Sequence, residues 1–378
     1  MTLAHPERPG AALAPQALAA SDATPTPSPA TAPPAAQAAH AGPTTPTTPT
    51  PKSTQAAGTT EAERAAQAAQ AAQAAWAARR ERGSLVLLRL MAWLAVTAGR
   101  PLTRLLLHPI TLYFLLMARE PRRHSARYLA RVLGRPARWH EQYRHFHAFA
   151  STVLDRVYFV RRQNQAFSIR MRGDTHCEDT LAAGRGGFLL GAHLGSFESL
   201  QAAGHSLSHM PVTMVMYPDN AQKIQAVLRA LAPDLDLPVI GIGRPGSTLA
   251  IRDALDAGHL VGLLGDRFLA ADRARAPAIE LPFLGQPAPF SDGPLRLAML
   301  LRRRVLFMVG LYEGGRHYNL RFELLADFRE PPATPALREQ AVRAALEAYV
   351  QLLEKLCRES PYNWFNFHDF WHEDKPRG

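Results

Sequence analysis

The sequence predicts an α/β fold in which a mixed central sheet is flanked by helices, and three observations indicate it. The apolar run GFLLGA at 187–192 is bounded by glycines and followed by a helix-like pattern, as expected for a buried strand that leads into a helix. A second run, HLVGLLG at 259–265, has the same strand-like character. Residues 304–314 and 317–325 then predict two antiparallel strands around a Gly-Gly turn.

The first 82 residues differ in composition from the rest of the chain. Residues 1–51 hold 12 of the 31 prolines, mixed with Ala and Thr. Such a segment buries too little apolar surface to offset its ordering entropy, so residues 1–60 are predicted to be a disordered tail. The Ala-rich run at 61–82 has high helix propensity, but Trp76 is its only large apolar anchor, which predicts a helical linker. The start of the chain lacks the basic-then-apolar pattern of a signal peptide.

Residues 83–118 are predicted to be a membrane-associated helical segment. Apolar side chains dominate it, but Arg89, Arg100 and Arg104 interrupt them. The longest stretches without charge, 90–99 and 105–118, have 10 and 14 residues, whereas a spanning helix needs about 20. The pattern therefore favours peripheral attachment or a single shallow anchor. A buried helix pair of a soluble protein is the alternative interpretation.

The chain is basic, and its charge is concentrated in one segment. The formal net charge is +11, and residues 100–144 contain ten arginines against two glutamates. A basic surface attracts anionic lipid, an acidic protein or nucleic acid, or it is simply a solvated face. No zinc-finger, RNP-type or basic-zipper pattern occurs, so nucleic acid is not an expected partner. Cys177 and Cys357 lie far apart without metal-ligand spacing, which predicts neither a disulfide nor a metal site.

The segment GAHLGSFE carries the candidate catalytic residues. His193 follows a predicted strand, and Glu198 falls in the first turn of a helix with Ser196 as its N-cap. The intervening turn allows the two side chains to meet. His193 would then act as a general base on a hydroxyl or amine that attacks a thioester, while Glu198 fixes the imidazole tautomer. Backbone N–H groups of Gly195 and Ser196 would hold the oxyanion.

The spacing H-x-x-x-x-[DE] is weak by itself, because chance gives about one match in a chain of this composition. Other candidates lie further along the sequence. Asp266 and Arg267 end the second apolar run, and Arg267 is interpreted either as a clamp for a pantetheine or headgroup phosphate or as half of a local ion pair. Phe283, Leu284 and Gly285 with Ser291, Asp292 and Gly293 are predicted to form a loop over the site. The aromatic residues of 364–371 are expected to be core packing rather than an acyl pocket. The predicted substrate-binding residues are Gly195, Ser196, Asp266, Arg267, Phe283, Gly285 and Gly293.

GAHLGSFE resembles the H-x-x-x-x-[DE] block of the lipid A biosynthesis (lauroyl/myristoyl) acyltransferase family, a lysophospholipid-acyltransferase-like group. Similar segments follow in order: HLVGLLGDR, LPFLGQPAPFSDGPLRLA and PYNWFNFHDFW. The resemblance covers about residues 84–371. Its C-terminal PYNWFNF block is closer to a branch of related acyltransferases found beside polyketide-like or aryl-lipid pathways. Where this chain has Asp266 and Arg267, the lipid A enzymes more often have Asp-Gln.

The resemblance implies a fold, an activity and a location. The fold is an α/β sandwich, with His193 as the base and Glu198 as its partner. The activity is transfer of a fatty acyl group from an acyl carrier protein or coenzyme A thioester to a hydroxyl or amine of a lipid or glycolipid. The location is the cytoplasmic face of the inner membrane. Acyl carrier protein and membrane lipid are the implied partners, and no cofactor is expected.

Two other function classes also fit parts of the sequence. Gly241, Gly243 and Gly246 form a G-x-G-x-x-G pattern between a strand-like and a helix-like segment, as in an NAD-dependent oxidoreductase. Against this interpretation, Pro245 would remove a backbone N–H from the turn that binds phosphate. A non-catalytic protein that binds lipid or an acyl carrier is the second alternative.

Overall fold

In the computed structural model, a central sheet has helices packed around it. The structure describes residues 97, 99–161, 163–199, 211–216, 238–243, 245–268 and 278–371. The tail predicted at 1–60 and the linker predicted at 61–82 lie outside these residues, as does most of 83–98.

Seven α-helices are described. They are α1 Gly99–Met117, α2 Arg119–Leu133, α3 Trp139–Val160, α4 Asp174–Ala182, α5 Ser247–Asp256, α6 Gly293–Leu300 and α7 Pro335–Glu359. Local sequence explains several of their ends. Gly134 adopts the left-handed conformation that ends α2, and the Thr334 side chain caps α7, whose first residue is Pro335.

Nine strands are described, in two sheets. They are β1 Ser168–Arg172, β2 Gly187–Gly191, β3 Val212–Met216, β4 Val239–Gly241, β5 Leu260–Leu264, β6 Ile279–Phe283, β7 Gln286–Phe290, β8 Arg304–Gly314 and β9 His317–Asp327. The main sheet has seven strands in the order β1-β9-β8-β2-β5-β3-β4, and β6 and β7 form a separate hairpin. All neighbours in the main sheet are parallel except β8 and β9. The predicted mixed α/β sheet is thereby confirmed.

The central strands of the sheet are apolar and are buried on both faces. Every residue of β2 is buried, as are the first four residues of β5. Continuous apolar runs are typical of parallel strands that pack against helices on both sides. The predicted strands at 187–192 and 259–265 and the predicted antiparallel pair are therefore confirmed, and their parallel pairing places the ends of β2 and β5 side by side.

The first helix has an unusual distribution of side chains. The residues that α1 buries are Thr103, Leu107, Thr111 and Leu115, two of which are threonines. Large apolar side chains are exposed at Leu102, Leu105, Leu112, Tyr113, Phe114, Leu116 and Met117. Among the described residues no single helix has the length and hydropathy of a membrane span, although α1 and α2, bent by 94° relative to each other, meet those criteria as a pair.

A buried ion pair attaches α1 to the rest of the domain. Arg100 donates two hydrogen bonds to the Asp155 carboxylate on α3, at 2.8 and 2.9 Å. The Tyr318 hydroxyl donates to the same carboxylate at 2.9 Å, and Asp155 is fully buried. Arg104 donates to the Tyr312 hydroxyl at 2.7 Å. These bonds fix the position of α1 against α3 and strands β8 and β9.

Candidate active site

The candidate site lies where two central parallel strands end. His193 follows β2 by two residues, and Asp266 follows β5 by two residues. The Gly265 N–H donates to the Gly191 carbonyl at 3.0 Å, which carries the pairing of the two strands into their loops. In open α/β sheets, ligands bind in the crevice beyond the carboxyl ends of the strands, where successive connections run in opposite directions. After β2 the chain next enters the sheet as β3, on one side of β2. After β5 it next enters the main sheet as β8, on the other side of β2.

His193 and Asp266 form a hydrogen-bonded pair at this edge. The Nδ1 atom of His193 lies 2.8 Å from Oδ1 of Asp266, and the His193 backbone N–H donates to Oδ2 at 2.9 Å. The imidazole is 30% exposed, whereas the carboxylate is only 2% exposed. The pair therefore combines a base that solvent can reach with a carboxylate that is shielded from solvent.

A tryptophan completes the surroundings of the carboxylate. The Trp364 indole N–H donates to Oδ2 of Asp266 at 2.9 Å, and Trp364 is almost fully buried. Burial by itself would raise the pKa of the Asp266 carboxyl, but the charge and hydrogen bond of His193, the charge of Arg267 and the indole hydrogen bond hold it below its ordinary value. Asp266 is therefore ionised at neutral pH.

The ionised carboxylate determines the tautomer of the neutral imidazole. A carboxylate can only accept, so Nδ1 of His193 carries the proton in the bond to Asp266. The Nε2 atom is then left with a lone pair and can take a proton from a hydroxyl or amine group of a bound substrate. This is the arrangement of base and orienting carboxylate that acyl transfer uses.

Glu198 has different partners from those expected. Its Oε1 atom lies 2.8 Å from the Arg156 guanidinium on α3, and the Ser196 hydroxyl donates to its Oε2 at 3.2 Å. The expected contact with His193 is taken by Asp266 instead. Glu198 therefore ties the turn after β2 to α3 and does not orient the imidazole.

The backbone donors expected to hold an oxyanion already have acceptors. The Gly195 N–H donates to the Asn363 carbonyl and the Ser196 N–H to the Gly310 carbonyl, both at 2.8 Å. Gly195 has a φ of +72°, and a side chain there would overlap the Gly310 backbone. These bonds shape the turn that carries His193, and the expectation that both donors face the substrate is corrected.

The other predicted substrate-binding residues lie beside Asp266, on β6, in the β6–β7 turn and at the start of α6. Arg267 is exposed beside Asp266 and contributes to the low pKa of that carboxyl. Phe283 is fully buried, and its ring lies 5.2 Å from that of Trp364. The predicted loop is instead the β6–β7 hairpin, with Gly285 in its turn, followed by the start of α6 at Gly293. A Cβ at Gly285 would meet no atom within 4 Å, and the Gly293 N–H donates to the Ser291 hydroxyl at 3.2 Å.

Trp364 was missed in the sequence as a participant in the site, and Asp266 was predicted as a substrate-binding residue and not as the partner of His193. The carboxylate that contacts His193 comes from a segment 73 residues away, and Trp364 lies in an aromatic run interpreted only as core. That run is indeed mostly buried. The signal was the tryptophan itself, because a buried indole N–H usually needs an acceptor.

The glycine pattern considered for NAD lies elsewhere on the sheet. Gly241 ends β4, the edge strand, which β5 and β3 separate from β2. The Ser247 hydroxyl at the start of α5 donates to the Gly241 carbonyl at 2.6 Å. In the part of the chain that the structure describes, no group of three or more His, Cys, Asp or Glu side chains could hold a metal ion.

A scan against protein-family models finds no family that matches the chain. A search of curated proteins likewise finds no significant match.

Proposed function

We propose that this chain transfers a fatty acyl group from an acyl carrier protein or coenzyme A thioester to a hydroxyl or amine of a lipid or glycolipid. His193 is the general base, and Asp266 takes the orienting role first expected of Glu198. The observation that carries the proposal is the His193–Asp266 pair, a partly exposed imidazole whose Nδ1 is held at 2.8 Å by a buried carboxylate. The resemblance of GAHLGSFE and the three later segments to lipid A acyltransferases supports the same chemistry.

The pair accounts for each proton in the reaction. Nε2 of His193 takes the proton of the acceptor hydroxyl or amine as its O or N atom bonds to the thioester carbonyl carbon. The imidazolium formed is stabilised by the Asp266 carboxylate. The C–S bond then breaks, and the leaving thiolate takes the proton back from Nε2. A thioester is already activated, so the chain needs no serine or cysteine nucleophile.

The exposed apolar face of α1 supports a membrane substrate. A helix on the surface of a soluble domain normally directs its apolar side chains inward, whereas α1 buries two threonines and exposes Leu105, Leu112 and Leu116. Such a face is stable when it lies in the boundary between headgroups and acyl chains. We propose that α1 attaches the protein peripherally to the cytoplasmic face of the inner membrane.

Charge next to α1 supports the same attachment. Arg119 and Arg123 in the first turns of α2, which follows α1 in the sequence, are exposed. Arginines beside an apolar membrane-facing helix attract anionic lipid headgroups, each contributing about 1 kcal/mol near the surface. A basic surface also suits an acidic acyl carrier protein, mainly by raising its rate of encounter.

The test is acyl transfer by the full chain in membranes. Radiolabelled dodecanoyl and hexadecanoyl thioesters of acyl carrier protein and of coenzyme A are offered with total membrane lipid. The expected result is label in a lipid product with the unmodified chain and its loss with His193→Gln. Equal label with both proteins would show that His193 is not the base and would favour a non-catalytic binding protein. NAD that copurifies with the chain would favour the oxidoreductase.

A further inference from the structure

Behind Asp266, a row of buried polar groups connects α2 and α3 to the candidate site. His145 on α3 is fully buried, and its Nε2 atom lies 2.8 Å from the Trp364 carbonyl oxygen. Its Nδ1 atom lies 2.8 Å from the hydroxyl of Ser125 on α2, which is also fully buried. Because the Trp364 indole donates to Asp266, the row runs from Ser125 through His145 and Trp364 to the carboxylate that holds His193.

The direction of each hydrogen bond follows from the acceptors. A backbone carbonyl can only accept, so Nε2 of His145 carries the proton and donates to Trp364. Burial lowers the pKa of His145 to about 4, which keeps its imidazole neutral at pH 7. Nδ1 therefore has a lone pair, and the Ser125 hydroxyl donates to it. Every polar atom of the imidazole is then satisfied.

Aromatic contacts hold the same groups from the sides. The His145 ring stacks on Phe367 with centroids 4.6 Å apart. The Tyr128 ring lies 5.4 Å from His145 and packs edge-on against Trp364 at 5.0 Å. Phe283 packs against the indole at 5.2 Å. Trp364 is thus fixed at its carbonyl by a hydrogen bond and at its ring by packing.

We propose that His145 is a positioning residue of the candidate site that acts through Trp364 on the Asp266 carboxylate. The inference rests on the proposed roles of His193 and Asp266. The two oxygens of Asp266 have distinct tasks: Oδ2 accepts from the Trp364 indole and the His193 backbone, which leaves Oδ1 directed at the His193 ring. His145 holds the main chain of Trp364 where the indole N–H reaches Oδ2.

The inference predicts a change in His193 that simple destabilisation would not cause. With Oδ1 in place, neutral His193 has its proton on Nδ1. If the indole N–H is removed or displaced, the carboxylate can rotate, and the proton on His193 redistributes toward Nε2. The fraction of the Nδ1–H tautomer therefore reports the position of Asp266 without any substrate, so the test stands apart from the transfer assay.

The experiment is nitrogen NMR on the full chain with labelled histidine, at pH 7.5, with the His193 signals assigned by their loss in His193→Gln. Trp364→Phe keeps an aromatic ring but removes the indole N–H. His145→Gln can present an amide donor close to the place of Nε2, whereas the shorter side chain in His145→Asn cannot reach it. His147→Asn is the matched control, because His147 lies two residues further along α3 and stacks on His108 and Tyr143 instead.

The expected result is a lower fraction of the His193 Nδ1–H tautomer in Trp364→Phe and His145→Asn, with values close to the unmodified chain in His145→Gln and His147→Asn. In the transfer assay the first two variants should lose on the order of 10- to 100-fold in kcat with little change in KM. If the His145 substitutions fail to fold, Ser125→Ala is used in their place. It should also lower the fraction of the His193 Nδ1–H tautomer.

Three results would overturn the inference: an unchanged tautomer in Trp364→Phe, equal effects of the two His145 substitutions, or an unchanged tautomer in Ser125→Ala where that variant is used. Failure of the proposed acyl transfer looks different. The tautomer changes would then be present, while no labelled lipid forms even with the unmodified chain.

Discussion

Asp266→Asn is the substitution whose effect the structure predicts most fully. The amide has the shape of the carboxylate, so its oxygen should take the Oδ2 position, where the His193 backbone and the Trp364 indole both donate. Its NH₂ group then faces Nδ1 of His193, where Oδ1 was 2.8 Å away. A donor there places the imidazole proton on Nε2, and the base loses the lone pair that the reaction needs.

The magnitude has two sources. A carboxylate and an imidazolium about 4 Å apart at an effective dielectric constant of about 20 attract each other by about 4 kcal/mol. Losing that attraction in the transition state lowers the rate by about 10³-fold, since each 1.36 kcal/mol is a factor of ten. The inverted tautomer adds to this, and the corresponding substitution in a serine protease triad costs about 10⁴-fold in kcat. We therefore expect a loss of about 10³- to 10⁴-fold in kcat.

The assay is label transfer from the acyl thioesters to membrane lipid, with kcat and KM measured separately. Glu198→Gln is the informative comparison, because it keeps the hydrogen-bonding shape of a residue that contacts Arg156 and Ser196. We expect it to lose less than tenfold. The orienting role of Asp266 is excluded if the kcat of Asp266→Asn stays within tenfold of that of the unmodified chain, or if Glu198→Gln loses more than Asp266→Asn.

Four further predictions follow from other parts of the structure. His145→Gln should make stability less sensitive to acid. Burial lowers the pKa of His145 to about 4, whereas in the unfolded chain the imidazole takes up its proton below about pH 6.5, so the contribution of neutral His145 to stability is complete above pH 6.5 and falls toward pH 4. Urea unfolding should show that the variant loses about 1.4 kcal/mol less per pH unit over this range. Arg100→Met should lower the free energy of unfolding by about 3 kcal/mol in the same measurement, because it leaves the Asp155 carboxylate buried without its bidentate partner. Gly310→Ala should lower kcat on the order of 100-fold, because its methyl group would overlap the backbone of the turn that carries the base; unchanged transfer would contradict the fit of that turn. Leu105→Ser should weaken flotation with anionic phospholipid vesicles by about tenfold without lowering the unfolding midpoint, because Leu105 is 64% exposed.

The strands were predictable because their signal is local. Residues 187–192 and 259–265 are short apolar runs between glycines, and β8 and β9 meet at a Gly-Gly turn. Burial on both faces produces such runs regardless of which strands become neighbours. The order of strands in the sheet left no comparable local signal, because parallel neighbours are joined through crossovers.

The same distinction explains the candidate site. His193 was identified correctly as lying at the end of a strand, since that depends only on β2 and the turn after it. Its carboxylate partner was assigned to Glu198, five residues away, because sequence proximity was the only available guide. The structure supplies Asp266 from β5, which is adjacent to β2 in the sheet and distant in sequence.

The role of Trp364 depends on contacts that are still more distant. Its indole reaches Asp266, 98 residues away, and its carbonyl meets His145, 219 residues away. An aromatic run with this composition usually packs in a core, and that interpretation agrees with the burial of Trp364. Only the assembled fold shows that the same side chain also binds the carboxylate beside His193.

Acyl transfer that depends on His193 is tested most directly by lipid mass spectrometry of cells that produce either the full chain or its His193→Gln variant. We expect a membrane lipid whose mass has increased by that of one fatty acid less one water in cells with the unmodified chain, and no such product in cells with His193→Gln at equal protein level. Identical lipid profiles from the two proteins would contradict His193-dependent acyl transfer to a lipid.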